Sequence, residues 1–258
     1  MERDLLSEQL KAIEQEDMSS SFPPRRSVRR RRRASIVTRR LTKVYGKGHA
    51  SVAALRDINL TVRKGEFIAV LGASGSGKTT LLNMLGALDR PSQGQVFIDG
   101  VETSRVAEHR LYQVRRNKLG FIFQTYYLVP TLSARQNVLT PVLPLSKDGR
   151  YEVRAEQLLK LVGLKRRMHH KPSQLSGGEQ QRVAIARALI LDPSVILADE
   201  PTGNLDSKTG AQIIRLLRWL NRKRGKTLIV VTHDHRVAAA ADRVVYLADG
   251  RLSDAPQN

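Results

Sequence analysis

At 258 residues the chain is long enough for one large domain, or a core with an inserted lobe, to bury a substantial hydrophobic centre. With no cysteine it has neither a disulfide framework nor a thiolate zinc site, which fits a reducing cytosol. The net charge of +20 favours an anionic neighbour, and no apolar run approaches the ~20 residues needed to span a bilayer.

The amino terminus starts acidic, with Leu5, Leu6, Leu10 and Ile13 interrupted by Glu and Gln, so it lacks the apolar core of a secretory signal. It then passes through Ser19-Ser-Ser-Phe-Pro-Pro24 into Arg25, Arg26, Arg29 to Arg33, Arg39 and Arg40. These nine arginines have no acidic residue among them, and removing them leaves +11 elsewhere. Residues 1–34 read as a disordered basic extension. The apolar residues at 6, 10 and 13 have helical spacing, but three of them cannot hold a lone helix in water. Arg31-Arg-Arg-Ala-Ser35 matches a basophilic kinase site, a pattern that usually occurs by accident.

From Ser35 onward, β-rich runs recur at 36–37, 58–62, 67–71, 96–98, 119–123, 195–198, 228–232 and 244–247. Several are apolar throughout, as expected of strands covered on both faces, and helical patterns over 78–88 and 210–221 suggest crossovers in a largely parallel α/β sheet. In the first helix Leu81, Leu82, Leu85 and Leu88 are expected to face inward. Between 124 and 186 the pattern turns helical, with Gln157, Leu158, Leu161, Val162 and Leu164 expected to form an apolar face of an inserted lobe. Trp219, beside Leu216, Leu217 and Leu220, reads as core packing.

Phe67-Ile-Ala-Val-Leu71 feeds Gly72-Ala73-Ser74-Gly75-Ser76-Gly77-Lys78-Thr79-Thr80, so strand, glycine loop and helix follow one another in the order of a phosphate-binding loop. Its glycines let the backbone close around a phosphate, the helix start adds N–H donors, Lys78 reaches the β- and γ-phosphates, and Thr79 can ligate Mg²⁺. Val195-Ile-Leu-Ala ends in Asp199 and Glu200, at the sheet edge where open α/β folds bind ligands. Beside a phosphate loop, Asp199 would hold the metal and Glu200 would act as general base toward water. His169-His170 and His233-Asp-His235 lack the spacing and the nearby Cys or Glu of a metal site, and are read as structural in that respect.

Leu175-Ser-Gly-Gly-Glu-Gln-Gln181 makes this phosphate loop specific. Together the two segments resemble the nucleotide-binding subunit of an ATP-binding cassette (ABC) transporter, a resemblance that covers roughly residues 36–252. It implies a P-loop NTPase core with a RecA-like, mostly parallel sheet, an antiparallel β subdomain and an inserted α-helical subdomain. On the same basis Tyr45 matches the aromatic residue that stacks on adenine, although a strand-end core tyrosine is an equal reading of the local sequence. Gln124 matches the glutamine that approaches Mg²⁺ and water and moves with a membrane partner. Ser176, Gly177 and Gly178 match the loop that clasps the γ-phosphate of ATP held by another subunit. Asn204-Leu205-Asp206 matches the loop crossing between subunits, and His233 the histidine contacting the γ-phosphate.

The resemblance implies a head-to-tail dimer around two ATP with Mg²⁺, most simply a homodimer, at the cytoplasmic face of the membrane against a separate permease. Gly86-Ala-Leu-Asp-Arg-Pro-Ser-Gln-Gly94 and Tyr126-Tyr-Leu-Val-Pro130 with Leu132-Ser-Ala-Arg-Gln-Asn137 are similar to the subgroup serving macrolide exporters, lipoprotein-release systems and a division complex. The arginine run is expected to favour anionic lipid. The alternative is a soluble ABC-type ATPase acting on nucleic acid or ribosomes. It fits the charge but not the single cassette without a heptad insertion, so no specific nucleic-acid partner is expected. No residue reports the cargo.

Overall fold

The computed structural model describes residues 33–46, 48–145 and 149–255. In chain order the elements are β1 (Ala34–Tyr45), β2 (Val52–Arg63), β3 (Phe67–Leu71), α1 (Lys78–Leu85), β4 (Gln93–Ile98), β5 (Val101–Glu102) and α2 (Glu108–Lys118). They continue with β6 (Leu119–Ile122), α3 (Ala134–Leu139), α4 (Arg150–Leu161), α5 (Gly177–Leu189), β7 (Val195–Asp199) and α6 (Ser207–Arg224). The chain closes with β8 (Thr227–Thr232), α7 (His235–Ala240), β9 (Arg243–Ala248) and β10 (Arg251–Ser253).

Two sheets form. β2-β1-β4-β5 is antiparallel, while β9-β3-β8-β7-β6 is parallel with β10 added antiparallel at one edge. The apolar runs that signal the parallel strands are explained by burial on both faces. Along β7, Val195 and Leu197 enter one core while Ile196 and Ala198 enter the other, and β8 divides Ile229 and Val231 from Leu228 and Val230 in the same way. The first core also holds the inner faces of α1 and the antiparallel sheet, and the second holds α3 to α6. Among the described residues all regular structure between β6 and β7 is helical, with α5 continuing to Leu189.

Several local expectations are corrected. Gly86 caps α1, so the helix stops short of Leu88, which is 46% exposed, and Met84 fills the inner face instead. In α4 the buried residues are Ala155 and Leu159, continued by Val162 and Leu164 beyond the helix end, while Gln157 is exposed and Leu158 and Leu161 only half-buried. β1 reaches from Ala34 to Tyr45 and includes Arg39 and Arg40, whose guanidinium groups lie over Phe97 and toward Asp57. The arginine run therefore ends inside the sheet, and residues 1–32 lie outside the described residues. Ser35 is buried, with its hydroxyl 3.3 Å from that of Thr227, so a kinase could reach it only by opening β1. Trp219 is buried as expected. Among the described residues no helix is long and apolar enough to cross a membrane.

Candidate active site

The parallel sheet brings three strand ends side by side. Leu71 pairs with Thr232, and Asp199 pairs with Val231, so the loops after β3, β7 and β8 emerge together at the carboxyl edge. The 72–77 loop is shaped by close approaches that a side chain would block. A Cβ on Gly72 would lie 2.5 Å from Ser76 Oγ, and one on Gly77 would lie 2.5 Å from the Ala54 carbonyl. Gly77 also caps α1 at φ 104°, a conformation that L side chains rarely adopt.

Lys78 opens α1 and is almost wholly buried. A buried ammonium needs partners, and its Nζ donates to the carbonyls of Gly72 (2.8 Å) and Ala73 (2.9 Å) while lying 3.7 Å from Glu200 Oε1. Thr79, the next residue, donates its hydroxyl to Asp199 Oδ2 at 2.9 Å. Burial raises the Asp199 carboxyl above its ordinary value; the Thr79 bond opposes this, and the neighbouring Glu200 adds to it.

Glu200 leaves β7 with φ 44°, a left-handed turn that is costly for a residue with a side chain. The turn carries its carboxylate to the end of β8. There Oε2 accepts from Thr232 Oγ1 (2.8 Å) and from the His233 N–H (3.3 Å), and Oε1 lies 3.0 Å from His233 Nδ1. The His233 side chain is 68% exposed and so faces the open side of this cluster.

Tyr45 stands at the end of β1 with its ring partly exposed. Its hydroxyl donates to Asp89 Oδ2 (3.0 Å) and engages Thr80, and Lys43 Nζ lies 4.8 Å from the ring centroid. Burial and the Asp89 bond both raise its phenol, so it remains a neutral donor at physiological pH. Lys43 also pairs with Asp89 at 2.8 Å, fixing the carboxylate that fixes the ring.

Gln124 follows β6. Its side chain donates to Asn204 Oδ1 (3.3 Å), and Asn204 Nδ2 donates back to the Gln124 carbonyl (3.0 Å). Ser176 is the N-cap of α5: it accepts from Glu179 N, while Glu179 Oε2 accepts from Ser176 N at 2.9 Å in a reciprocal capping box. Gly177 approaches Tyr126 and Leu205, and Gly178 packs directly on the Thr209 methyl. Asp206 caps α6 by accepting from Thr209 N at 3.0 Å, and its carboxyl is lowered by the Thr209 hydroxyl first and by this N–H second. The structure thus gathers residues 72–80, Asp199, Glu200 and His233 into one cluster. Ser176 to Gly178 instead join Asn204 to Asp206 in a second cluster.

Three participants had no role assigned from sequence, although Asp89 and Gln181 lie within the 86–94 and 175–181 motifs. Asp89 anchors Tyr45, Thr232 holds Glu200, and Gln181, fully buried on α5, donates to the Pro201 carbonyl at 2.8 Å. Thr232 stands beside the recognised His233, yet one threonine at a strand end carries no pattern.

A parallel sheet presenting a phosphate loop, a carboxylate pair and a capped glycine helix defines a P-loop nucleotide-hydrolysing cassette. The family model for ABC transporters matches residues 55–203, and this chain belongs to that family. It is 48% identical over 223 residues to the uncharacterized ABC transporter ATP-binding protein MJ0796 of Methanocaldococcus jannaschii, covering 84% of this chain and 94% of that one. It is 49% identical over 213 residues to a lipoprotein-releasing system ATP-binding protein of Geobacter metallireducens, covering 82% and 95%. It is 52% identical over 220 residues to a macrolide export ATP-binding/permease protein of Rhodopseudomonas palustris, which covers 84% of this chain but only 33% of that much longer protein. The solved dimeric post-hydrolysis state of the MJ0796 cassette, bound to ADP and Pi, superposes with a TM-score of 0.78 at 46% identity over 84% of this chain and 96% of that one. The chain is an ATP-binding and ATP-hydrolysing cassette of an ABC transporter.

Proposed function

We propose that two copies of this chain pair head to tail around two ATP molecules and drive a separate integral-membrane permease from the cytoplasmic face. The observation that carries this reading is that the nearest neighbours of the Ser176 to Gly178 turn are Tyr126, Asn204, Leu205 and Thr209 rather than the 72–80 loop. Residues 72–80 with Asp199, Glu200 and His233 make a phosphate and water site, whereas Ser176 to Gly178 sit elsewhere at the amino end of α5, with N–H donors suited to a γ-phosphate. A second chain supplies the missing half to each site, and both halves are present in one sequence, so a homodimer has two complete sites.

In this reading Gly72, Ala73, Ser74, Gly75, Ser76, Gly77, Lys78 and Thr80 hold the phosphates, Tyr45 stacks on adenine, and Asp206 lies at the crossing between subunits. The hydroxyl of Thr79 and the carboxylate of Asp199, 2.9 Å apart, are hard oxygen donors that suit Mg²⁺, with the Gln124 amide as a further oxygen ligand. When bound, the ion neutralises charge on the β- and γ-oxygens. Glu200 takes the proton of the attacking water, and His233, hydrogen-bonded to it, faces the γ-phosphate.

A groove of about 570 Å³ beside Gln124, lined by Leu119, Phe121, Phe123, Tyr127 and Leu191 with Arg116 and Arg187, offers the permease an apolar seat. An exporter or force-transmitting system is the reading that the relatives support. The arginine run at 25–33 carries charge suited to anionic lipid.

The test is light scattering in Mg²⁺-free ATP on wild type and Glu200→Gln. A nucleotide-dependent dimer, strengthened by the substitution, is expected because glutamine removes a buried negative charge that would face the γ-phosphate. A monomer that still binds ATP normally would refute a self-sufficient homodimer.

A further inference from the structure

We infer that Thr232 is a positioning residue for Glu200, and that it divides the two carboxylate oxygens into one that is anchored and one that receives the proton of water. The inference rests on the reading of Glu200 as the base and names what makes that base work.

Thr232 is the last residue of β8 and is completely buried. A hydroxyl has one proton to give and lone pairs to receive. The Asp234 N–H donates to Thr232 Oγ1 at 3.0 Å, so an acceptor position is taken. Glu200 Oε2 lies 2.8 Å away and, when ionised, can only accept, which commits the hydroxyl proton to it. The His233 N–H reaches the same oxygen at 3.3 Å. Both donors to Oε2 stand at the end of β8, one a buried hydroxyl on a β-branched side chain and the other a main-chain amide, so both are held in place.

Oε1 has different company. It faces the exposed imidazole of His233 at 3.0 Å and the Lys78 ammonium at 3.7 Å. Both are side-chain groups, the imidazole exposed and the ammonium more distant, so Oε1 is the oxygen that can be released to water. In the hydrolytic step the water proton passes to Oε1 while the water oxygen bonds to the γ-phosphorus. The bond from that phosphorus to the β,γ-bridging oxygen breaks, and its electron pair remains on ADP. The left-handed backbone of Glu200, bonded through its N–H to the Val231 carbonyl of β8, turns the side chain toward the end of that strand, where the Thr232 bond fixes its rotamer. Threonine suits the task, since β-branching restricts χ1 and aims the hydroxyl.

The experiment compares steady-state ATP hydrolysis by the full chain carrying Thr232→Val, Thr232→Ser, Glu200→Gln and the Thr232→Val/Glu200→Gln pair, with thermal unfolding of each. Thr232→Val is expected to lower kcat by about 10- to 100-fold with KM for ATP little changed, since a misplaced catalytic group costs that order of rate. Thr232→Ser is expected to recover most of the loss. The double variant is expected to be no slower than Glu200→Gln alone, because the two residues act as a unit. Wild-type kcat in Thr232→Val, alongside an inactive Glu200→Gln, would overturn the role of Thr232 and leave the base intact. A Thr232→Ser as slow as Thr232→Val would overturn it too, by assigning the effect to the methyl group. Should Thr232→Val fail to fold, Thr232→Ala against Thr232→Ser makes the same comparison. Full activity in Glu200→Gln would instead remove the base itself.

Discussion

The Thr79 hydroxyl donates to the Asp199 carboxylate at 2.9 Å, joining the start of α1 to the end of β7 across 120 positions of sequence. The bond does not fully offset the cost of burying that carboxylate, whose pKa is raised by burial first and by Glu200 as well. A raised folded value means the native state holds its proton more tightly than the unfolded chain does. The associated stability is therefore complete below the unfolded value of ~3.9 and is lost as pH climbs through the folded one. In metal-free buffer Asp199→Asn should melt higher than wild type at neutral pH, and the gap should close as pH falls toward 4. Excess Mg²⁺ should raise the wild-type melting temperature and leave Asp199→Asn unmoved. Melting curves from pH 4 to 8, with and without Mg²⁺, test both parts, and a gap independent of pH would contradict the account.

Tyr45 is held by its rim. Asp89 fixes the hydroxyl and Lys43 occupies one side of the ring, leaving the other face for a base. If that face stacks on adenine, Tyr45→Ala should weaken ATP binding by roughly 1–2 kcal/mol, about tenfold. Tyr45→Phe keeps the π surface and gives up only the Asp89 bond, so its affinity should stay within about threefold of wild type. Calorimetric titration with ATP decides this; equal losses in the two variants would mean that the anchor, not the stack, matters.

The phosphate loop and the apolar strands were legible because backbone geometry dictates residue type at those places. Gly77 at φ 104° admits little else, and two-faced burial keeps 195–198 of β7 and 228–231 of β8 apolar throughout. Where partners are distant in sequence, local pattern failed. Nothing near Asp89 announces Tyr45, and Thr232 meets Glu200 only because β7 and β8 are neighbours. The inner face of α4 was misread because Leu158 is more apolar than Ala155, yet the close approach of α3 and α5 selects the small residue. β1 was foreseen only at Ile36-Val37, since the exposed Arg39 and Arg40 and the Asp89-paired Lys43 interrupt the apolar pattern of the strand.

Gly178 illustrates a glycine chosen for space rather than for φ. A Cβ there would collide with the Thr209 Cγ2 methyl, where α5 packs against the first turn of α6. Gly178→Ala should therefore destabilise by about 1–3 kcal/mol through overpacking, despite alanine's better helix propensity. Thr209→Ser removes only the offending methyl and leaves the N–H that Asp206 accepts from. The double variant should regain at least half of the loss, a non-additivity expected of residues in direct contact. Urea denaturation of the single and double variants measures it, and strictly additive effects would place the strain elsewhere.

Tyr126 and Tyr127 form two consecutive left-handed residues, φ 61° and 47°, in the segment between Gln124 and the apolar groove. Each costs on the order of 1–2 kcal/mol for a residue with a side chain, so the turn needs an external hold. Arg187 provides it from the last turn of α5, donating from its two terminal nitrogens to the Tyr126 and Tyr127 carbonyls. The guanidinium is mostly buried, and that burial lowers its pKa. Removing it leaves two carbonyls without their donors, so Arg187→Ala should cost about 2–4 kcal/mol. Arg187→Lys should restore less than half, because a single ammonium cannot reproduce a fork that spans two acceptors. Hydrogen exchange provides the local readout: the Tyr127 amide, bonded to the Thr125 carbonyl at 2.6 Å, should lose protection in Arg187→Ala before the α5 amides do. Unchanged exchange at Tyr127 would show that the turn holds itself, and that the arginine serves only to pack α5 against β6.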